Sequence, residues 1–257
     1  RYGGRLMQYP GRPYLRYASN GWNRIHFITT EEHPRDYNNS IYHGYFEYDY
    51  LFRSDGTLVQ RLDPGVSPPI PKQFTKVFAG HAKAVAWTSD IELDERGFPY
   101  IAFSVTRDPI ERGNREKTGQ AGLDHRYHYA RWDGQQWHTH EIAYAGSRLY
   151  PGEDEYTGNI ALHPENPGIV YISADVDPVT GEPLLVAGQR RYEIFRGESA
   201  DGGANWRWTA LTESSPADNI RPIVVADAGK AVVLWLQGRY TSYLDYDLKA
   251  MGQLRYE

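Results

Sequence analysis

Two arginines in this chain stand where a guanidinium group could bind an acidic ligand. Arg148 follows the small residues 145–147, and from such a loop its planar side chain could reach a carboxylate or a sulfate. Arg221 precedes Pro222 at the predicted start of an innermost strand, where a side chain can face a central channel. Both arginines have a simpler interpretation as ion pairs with nearby carboxylates, which are Glu153, Asp154 and Asp218.

Four further polar side chains lie where ligand contacts are common. Tyr156 and Asn159 flank the start of another predicted inner strand and could line the same channel. Tyr150 could stack on a sugar or carry a proton, although packing against other side chains is the simpler interpretation. His81 is a weaker candidate, because a loop histidine more often contacts solvent or caps a turn.

Two short segments contain side chains of the kinds that bind metal ions. Asp124, His125 and His128 occur close together, and Asp175 and Asp177 alternate along the chain. Neither spacing is diagnostic of a calcium or zinc site. The residues themselves therefore leave the metal question open.

Glycine-containing turns mark the elements that must position these residues. The most informative is a Ser-x-Asp-x-Gly-x-x-Trp turn over residues 199–206. In such a turn the Ser and Asp side chains bond nearby backbone groups, and Gly adopts backbone angles that other residues avoid. Weaker versions occur at residues 53–57 and 132–137, and tight turns at 94–97 and 227–230.

Four similar strand-turn-strand units follow one another, and no convincing helix interrupts them. Their candidate innermost strands start near Pro13, Ala84, Thr157 and Ile220, roughly 60 to 75 residues apart. Repeated units of four antiparallel strands are typical of an all-β propeller, whereas a sandwich or barrel does not predict this spacing. We therefore predict a single β-propeller domain over residues 1–257, with about four blades in this chain.

The composition disfavours several classes of protein. The net charge of −5 argues against nucleic-acid binding, and no apolar run approaches the roughly 18 residues that cross a bilayer. The chain has no cysteine, which excludes disulfides and thiolate metal sites. Its 21 Tyr and 7 Trp suit half-buried strands as well as sugar-binding surfaces. The chain begins at Arg1 without an initiator Met, which is typical of a cleaved or partial start.

Several runs of residues resemble one family of propellers. The runs are PYLRYASNG at 13–21, RIHF at 24–27, NNSIYH at 38–43, TSDI at 88–91, AGSRLY at 145–150, YTGNIAL at 156–162 and DNIRP at 218–222. Together they resemble the BNR-4-type propeller family, which includes ulvan lyases and related rhamnosyl-glucuronate lyases. The resemblance covers essentially the whole chain. It implies a seven-bladed ring whose N-terminal blades are lacking here, in a bacterial protein that is secreted or periplasmic.

The resemblance also implies a reaction, which is β-elimination at a uronic acid. A base removes the C5 proton and the glycosidic oxygen at C4 leaves, which gives a 4,5-unsaturated sugar. The uronate carboxylate then needs cationic or donor groups, and a His or Tyr takes the proton. By this resemblance the catalytic residues would be His43 and Arg148, and the substrate-binding residues would be Arg221, Tyr156, Asn159, Tyr150 and His81. For His43 the alternative is a hydrogen-bonded strand histidine without a chemical role.

The expected partners follow from the same resemblance. The substrate would be an anionic, sulfated and uronate-containing polysaccharide such as ulvan, with no nucleic acid and no membrane involved. No cofactor would be required for the chemistry, while analogy with the family allows a structural Ca²⁺ or Zn²⁺ without requiring one. The blade that should supply two His and a Tyr/Arg pair has no counterpart in this sequence, so a second chain could carry it.

Two other functions stay open at this point. A sialidase-type glycoside hydrolase shares the Asp turn and would combine arginines with acidic residues such as Glu153, Asp154 and Glu155, close to Arg148. A carbohydrate-binding propeller without catalytic activity is the third hypothesis, and the missing blade favours it.

Overall fold

Antiparallel strands make up almost all of the regular structure. A computed structural model of the chain describes residues 6–7, 11–111 and 119–256, so Arg1 lies outside the described part. Within these ranges the single helical element is a 3-10 turn at Pro71–Gln73. No helix in the same ranges is long and apolar enough to span a membrane. The prediction of an all-β chain is confirmed.

The first two sheets contain ten strands. The first sheet consists of β1 (Leu15–Ser19), β2 (Arg24–Thr29), β3 (Ile41–Glu47), β4 (Tyr50–Arg53), β5 (Leu58–Arg61) and β6 (Thr75–Phe78). Its strands pair in chain order from β1 to β5, and β6 pairs with β3. The second sheet consists of β7 (Val85–Leu93), β8 (Pro99–Thr106), β9 (His125–Trp132) and β10 (Trp137–Gly146), also paired in chain order.

The remaining strands form two more sheets and a small hairpin. In chain order they are β11 (Ile160–Leu162), β12 (Ile169–Ala174), β13 (Leu185–Val186), β14 (Gln189–Arg190), β15 (Glu193–Glu198) and β16 (Arg207–Ala210). The third sheet has the order β11-β12-β15-β16, and β13 pairs only with β14. The last sheet consists of β17 (Asp218–Asp227), β18 (Lys230–Ser242) and β19 (Asp245–Tyr256).

The four predicted units are therefore present as four antiparallel sheets. The middle two have four strands, as predicted, whereas the first sheet has six and the last has three. The first strands of successive sheets contact one another, β1 with β7, β7 with β11, and β11 with β17. This fan is the arrangement expected of propeller blades, while closure into a seven-bladed ring stays a prediction.

Apolar cores fill the spaces between successive sheets. Every residue of β8 is buried. Since alternate side chains of a strand face opposite sides of its sheet, both faces of the sheet must be covered at β8. Ile101 packs with Ile28 and Ile41 of the first sheet. Its neighbour Tyr100 packs with Ile160 of the third sheet. Full burial of one such side chain stabilises the fold by about 1.5–3 kcal/mol, so this double-sided packing holds the sheets in their fan.

The turn at residues 199–206 has the contacts that its sequence predicts. Asp201 Oδ1 accepts a hydrogen bond from the N–H of Asn205 at 3.0 Å. Gly203 has a φ of +97°, and a Cβ added there would lie 2.4 Å from the ring of Tyr129. Trp206 packs edge-on against the same ring, with 5.3 Å between the centroids. Glycine is therefore required at this position for both backbone angle and space.

Candidate functional site

The first strands of three sheets, and the segment that leads into the first strand of the other, surround a cavity of about 330 Å³, which we call the central cleft. β1, β7 and β17 contribute to its wall, together with the segment before β11 and the β18–β19 turn. Its charged, amide and aromatic lining comprises Arg16, Arg221, Glu155, Asn159, Tyr14, Trp87, Tyr156 and Tyr243, and its hydroxyl lining comprises Thr88, Ser89, Ser104 and Thr157. Three residues predicted from the sequence to contact a substrate, Tyr156, Asn159 and Arg221, therefore lie together.

Arg221 occupies a strained break in β17. The pairing of β17 with β18 shifts register between Ile220 and Ile223, and Arg221 has a φ of +57° in the left-handed region. For a residue with a Cβ this conformation costs about 1–2 kcal/mol. The N–H of Arg221 donates to the carbonyl of Gly158 at 2.7 Å, which ties the break to the segment before β11. The guanidinium carbon lies 5.4 Å from the centre of the Tyr240 ring.

Arg221 forms no ion pair with a carboxylate among the described residues. Asp218, the predicted partner, instead accepts a hydrogen bond from the N–H of Tyr192 at 3.2 Å and lies 4.0 Å from the guanidinium of Arg191. Nε of Arg221 is buried and has no hydrogen-bond partner among the described residues. A buried donor of this kind needs an acceptor, and an anionic ligand in the cleft would supply one.

Asn159 is a second residue of the cleft in the left-handed region, with a φ of +84°. Asparagine tolerates this region better than most residues do. Its carbonyl accepts a hydrogen bond from the N–H of Ser173 at 3.0 Å, and its own N–H donates to Thr157 Oγ1 at 3.2 Å. Non-glycine residues held in this region cluster at functional sites, so two of them at one cleft support its assignment as a site.

Aromatic rings form one wall of the central cleft. Trp87 and Tyr156 are stacked with 4.8 Å between their centroids, and Tyr14 meets Trp87 edge-on at 5.2 Å. Tyr243, from the turn between β18 and β19, meets Tyr156 edge-on at 5.7 Å. The predicted residue Tyr150 is not among the lining residues of the cleft, and its buried ring lies 6.0 Å from that of Tyr156 between centroids. Such a wall can stack on the apolar face of a sugar ring.

Glu155 places a protonatable carboxyl group in the cleft. The side chain is only 2% exposed, and its burial raises the pKa of the carboxyl group to about 7. Arg35 opposes this shift, since its Nε lies 3.9 Å from Glu155 Oε2. Arg35 also pairs with Glu153, whose pKa burial likewise raises. Arg16 and Arg221 line the central cleft together with this one carboxyl group. Arg16 also interacts with the charge of Asp90, which lines a neighbouring cavity with both arginines, so the case for an anionic ligand is stronger at Arg221.

A second cavity of about 650 Å³ adjoins the central cleft, and we call it the rim pocket. The two cavities share the side chains of Tyr156 and Tyr243 as a common wall. The other residues of the rim pocket are Gly11, Arg12, Glu32, His33, Arg35, Asp36 and Glu153. The two cavities are therefore neighbours, with a pair of tyrosines between them.

The structure places His43 in the interior of the first sheet and not in the central cleft. Its side chain is 1% exposed, and its Nε2 shares a hydrogen bond with His26 Nδ1 at 3.1 Å. Its Nδ1 lies 2.8 Å from Ser54 Oγ. Burial, followed by the neighbouring His26, holds the pKa of His43 well below its usual range. The geometry is that of the alternative interpretation, a hydrogen-bonded strand histidine, and it supplies no contact between His43 and the cleft.

Arg148 also lies outside the lining of the central cleft. Its Nε is 3.6 Å from Asp154 Oδ1, so the ion pair considered from the sequence is present. Its Nη1 donates to the carbonyl of Ala121. His81 lines a separate cavity with Tyr42 and lysines of the first unit. Neither residue therefore joins the three that the structure brings together.

The candidate metal ligands do not converge. Asp175 accepts a hydrogen bond from the N–H of Ser147 at 2.9 Å and pairs with Arg190 at 3.2 Å, while Asp177 caps the turn that follows it. His125 is fully buried in β9. Within the described ranges, no group of three or more His, Asp or Glu side chains is arranged to hold a metal ion. A structural Ca²⁺ or Zn²⁺, which analogy with the family allows, is not tested by this arrangement, and no step below depends on it.

Sequence reasoning missed several residues that line the cleft. Arg16 and Tyr14 belong to the PYLRYASNG run, and Trp87 belongs to the predicted first strand of the second unit. Their position on first strands was the available signal, because first strands of blades line the centre of a propeller. Tyr243 had no comparable local signal, since only the long β18–β19 hairpin carries it to the cleft.

Comparison with known proteins supports the fold. No protein-family model matches the chain, and no curated protein matches it, so membership of the BNR-4 family stays a prediction. Among solved structures the chain is similar to an ulvan lyase bound to -[GlcA(1-4)Rha3S]-, with 14% identity and a TM-score of 0.60, over 93% of this chain and 50% of that one. It is also similar to an endo-arabinase from Bacteroides thetaiotaomicron, with 12% identity and a TM-score of 0.43, over 95% of this chain and 74% of that one.

The comparisons define a class at the level of fold. The chain has a polysaccharide-lyase-like fold, and it spans about half the length of the ulvan lyase to which it is similar. At this identity the likeness carries no information on substrate or catalytic residues. The site must therefore be argued from its own side chains.

Proposed function

We propose that this chain is part of a polysaccharide lyase that cleaves a sulfated, uronate-containing polysaccharide such as ulvan by β-elimination. The observation that carries the proposal is the central cleft, where Arg16 and Arg221 stand beside a wall of stacked aromatic rings. The chain also shares its fold with an ulvan lyase whose structure contains a bound glucuronate-containing ligand.

The chemistry requires that the charge of the uronate be neutralised before C5 loses its proton. Guanidinium groups bind carboxylates through two parallel N–H donors, and Arg221 has a buried donor without a partner among the described residues. Preorganised donors aimed at developing charge contribute about 3–4 kcal/mol to catalysis. We assign this electrostatic part to Arg16 and Arg221, in place of the predicted role of Arg148.

Proton transfer completes the elimination. The base takes the C5 proton, the freed electron pair forms the C4=C5 double bond, and the C4–O bond breaks as the leaving oxygen gains a proton. Tyr14, Tyr156 and Tyr243 bring phenolic hydroxyl groups to the cleft, and tyrosine can perform general acid–base catalysis. We propose one of these tyrosines, or a group on a further blade, as the base in place of the buried His43.

The test is the appearance of the conjugated double bond. The protein, together with any polypeptide that accompanies it, is incubated with ulvan while ultraviolet absorbance is followed. We expect the absorbance to rise in the wild type and to be strongly reduced in Arg16→Ala and Arg221→Ala. New reducing ends without this absorbance would show hydrolysis and would overturn the proposal.

Glycoside hydrolysis is the second candidate, and Glu155 is the observation that favours it. Glycosidases use a carboxylic acid of raised pKa to protonate the leaving oxygen. The pKa of Glu155 is raised to about 7 by burial, and the group lies in the cleft. Under this candidate Glu155→Gln would abolish the formation of reducing ends, whereas β-elimination needs no such acid at this position.

We propose that the protein acts outside the cytoplasm, where polysaccharides too large to cross a membrane are available as substrates.

We also propose that further β-sheet polypeptide packs on the last sheet. Ile223, Val225 and Leu254 are more than half exposed and share one face of this sheet by register. Between successive sheets of the described residues the apolar faces are covered by the next sheet, which favours the same kind of occupant here. A native mass equal to that of this chain alone, with this face exposed to solvent, would contradict the proposal.

A further inference from the structure

The hairpin of β18 and β19 projects beyond the sheet to which it belongs. Pairing of β17 with β18 ends at Gly238, whereas pairing of β18 with β19 continues as far as Ser242 and Asp245. Residues 239–247 therefore form a two-stranded ribbon, which we call the tyrosine ribbon. A two-stranded hairpin is only marginally stable by itself, so the ribbon depends on contacts with the rest of the fold.

Tyrosine side chains fix this ribbon beside the central cleft. Tyr240 meets the buried ring of Tyr150 edge-on with 5.3 Å between the centroids, and it also lies against the guanidinium group of Arg221. Tyr243, in the turn of the ribbon, meets Tyr150 edge-on at 5.9 Å and lines the cleft itself. The tyrosine ribbon is therefore anchored at the edge of the cleft.

The ribbon extends the aromatic wall of the cleft onto the protein surface. Tyr240 and Tyr246 are directly opposite each other in the two strands, with 6.3 Å between their ring centroids. Through Tyr150 these rings connect to Tyr156 of the cleft, and no two neighbouring centroids in this row are more than 6.3 Å apart. The side chain of Tyr246 is 59% exposed, so the row ends at a ring that is open to solvent.

A polymeric ligand has to continue outside the central cleft. The cleft volume of about 330 Å³ lies at the lower end of the range of about 300–1,000 Å³ for sites that hold one small ligand. The remaining sugar units of a bound chain therefore lie on the surface around the cleft. Exposed tyrosine rings suit such units, since the ring packs against the apolar face of a sugar while the hydroxyl group stays in water.

We propose that the tyrosine ribbon is a second carbohydrate-binding element, on which Tyr246 stacks against a sugar unit that continues the chain from the central cleft. The inference rests on the proposed function only in that an acidic sugar of the polymer occupies the cleft. The exposed face that includes Leu254, where we expect further polypeptide to pack, lies toward the other end of β19. About 26 Å of extended strand separates Leu254 from Tyr246, so the two sites are compatible.

Binding of two oligosaccharides of different length tests the inference. Both alternate glucuronate with rhamnose 3-sulfate, and the shorter has one repeat whereas the longer has four. Stopped-flow tryptophan fluorescence measures binding before any product accumulates. We expect Tyr246→Ala to bind the longer oligosaccharide about 3- to 10-fold more weakly than the wild type does, and to bind the shorter one equally well.

Two further variants assign the effect to ring stacking on the ribbon. Tyr246→Phe keeps the ring and loses only the hydroxyl group, so it should bind the longer oligosaccharide as the wild type does. Tyr48→Ala is the matched control, because Tyr48 is 74% exposed in the turn between β3 and β4 and does not line the central cleft. It should leave both affinities unchanged.

The outcomes separate this inference from the proposed reaction. Wild-type affinity of Tyr246→Ala for the longer oligosaccharide would overturn the inference, as would an equal loss for both lengths, an equal loss in Tyr246→Phe, or the absence of binding to both compounds. If Tyr246→Ala has the expected effect but ulvan yields no unsaturated product, the lyase proposal fails while the ribbon keeps its assignment. Unsaturated product with an unchanged affinity in Tyr246→Ala would retain the reaction and remove the ribbon from binding.

Discussion

Replacing Arg221 with alanine and with glycine should separate its part in ligand binding from its part in folding. Both substitutions remove the guanidinium that lines the central cleft. They differ in the backbone, because Arg221 has a φ of +57°, which glycine adopts without the steric cost that a Cβ imposes. The hydrogen bond from its N–H to Gly158 is available in both variants.

The expected magnitudes follow from these contacts. A hydrogen bond to a charged group contributes about 1.5–3 kcal/mol, so both variants should bind a uronate oligosaccharide about 10- to 150-fold more weakly than the wild type. In urea unfolding the glycine variant should be more stable than the alanine variant by about 1 kcal/mol. That figure is the left-handed cost of about 1–2 kcal/mol, less the greater entropy that glycine loses on folding.

Two results would refute this reasoning. Affinities within about twofold of the wild type in both variants would remove Arg221 from ligand binding, since no lost charge-assisted bond is that weak. An alanine variant as stable as the glycine variant would show that the backbone at this break is relaxed. The two readouts are independent, so one can fail while the other holds.

Three further predictions concern the cleft and the fold. Glu155→Gln should be more stable than the wild type at pH 8 but not at pH 4. Burial raises the pKa of the Glu155 carboxyl group from 4.5 to about 7, so its ionisation destabilises the folded state as pH rises through that range. Thermal unfolding of both proteins at the two pH values measures this difference. Gly203→Ala should lose about 2 kcal/mol more stability in urea than Gly202→Ala, since both have positive φ but only position 203 lacks space for a Cβ; equal losses would contradict the packing of this turn. Trp87→Ala should weaken oligosaccharide binding about tenfold while the exposed Trp22→Ala leaves it unchanged, and equal affinities would remove the stacked wall from the site.

The architecture was largely accessible from the sequence because its signals are local. Asp–Gly turns and alternating apolar residues specify hairpins, and their spacing gives four units. The six strands of the first sheet were less accessible, since β6 returns to pair with β3 across a long connection. Whether the sheets close into a ring depends on long-range contacts, which local patterns do not encode.

The site was only partly accessible, for a different physical reason. Residue type predicts what a side chain can do, but burial decides whether it can meet a ligand. His43 has suitable chemistry, yet its side chain hydrogen-bonds to His26 inside the sheet. The sequence around His43 did not indicate which face of the sheet its side chain occupies, because the register of the strand was not known. Arg221 was identified because the start of an inner strand must face the centre, which is a geometric property of the fold.

The central claim is that Arg16 and Arg221 hold a sugar carboxylate in the central cleft. A crystal structure of the protein, with any accompanying polypeptide, soaked with a uronate oligosaccharide tests it most directly. We predict a uronate whose carboxylate lies within hydrogen-bond distance of both guanidinium groups, with its ring against Trp87 and Tyr156. A sugar bound only elsewhere, with these arginines untouched, would contradict the account.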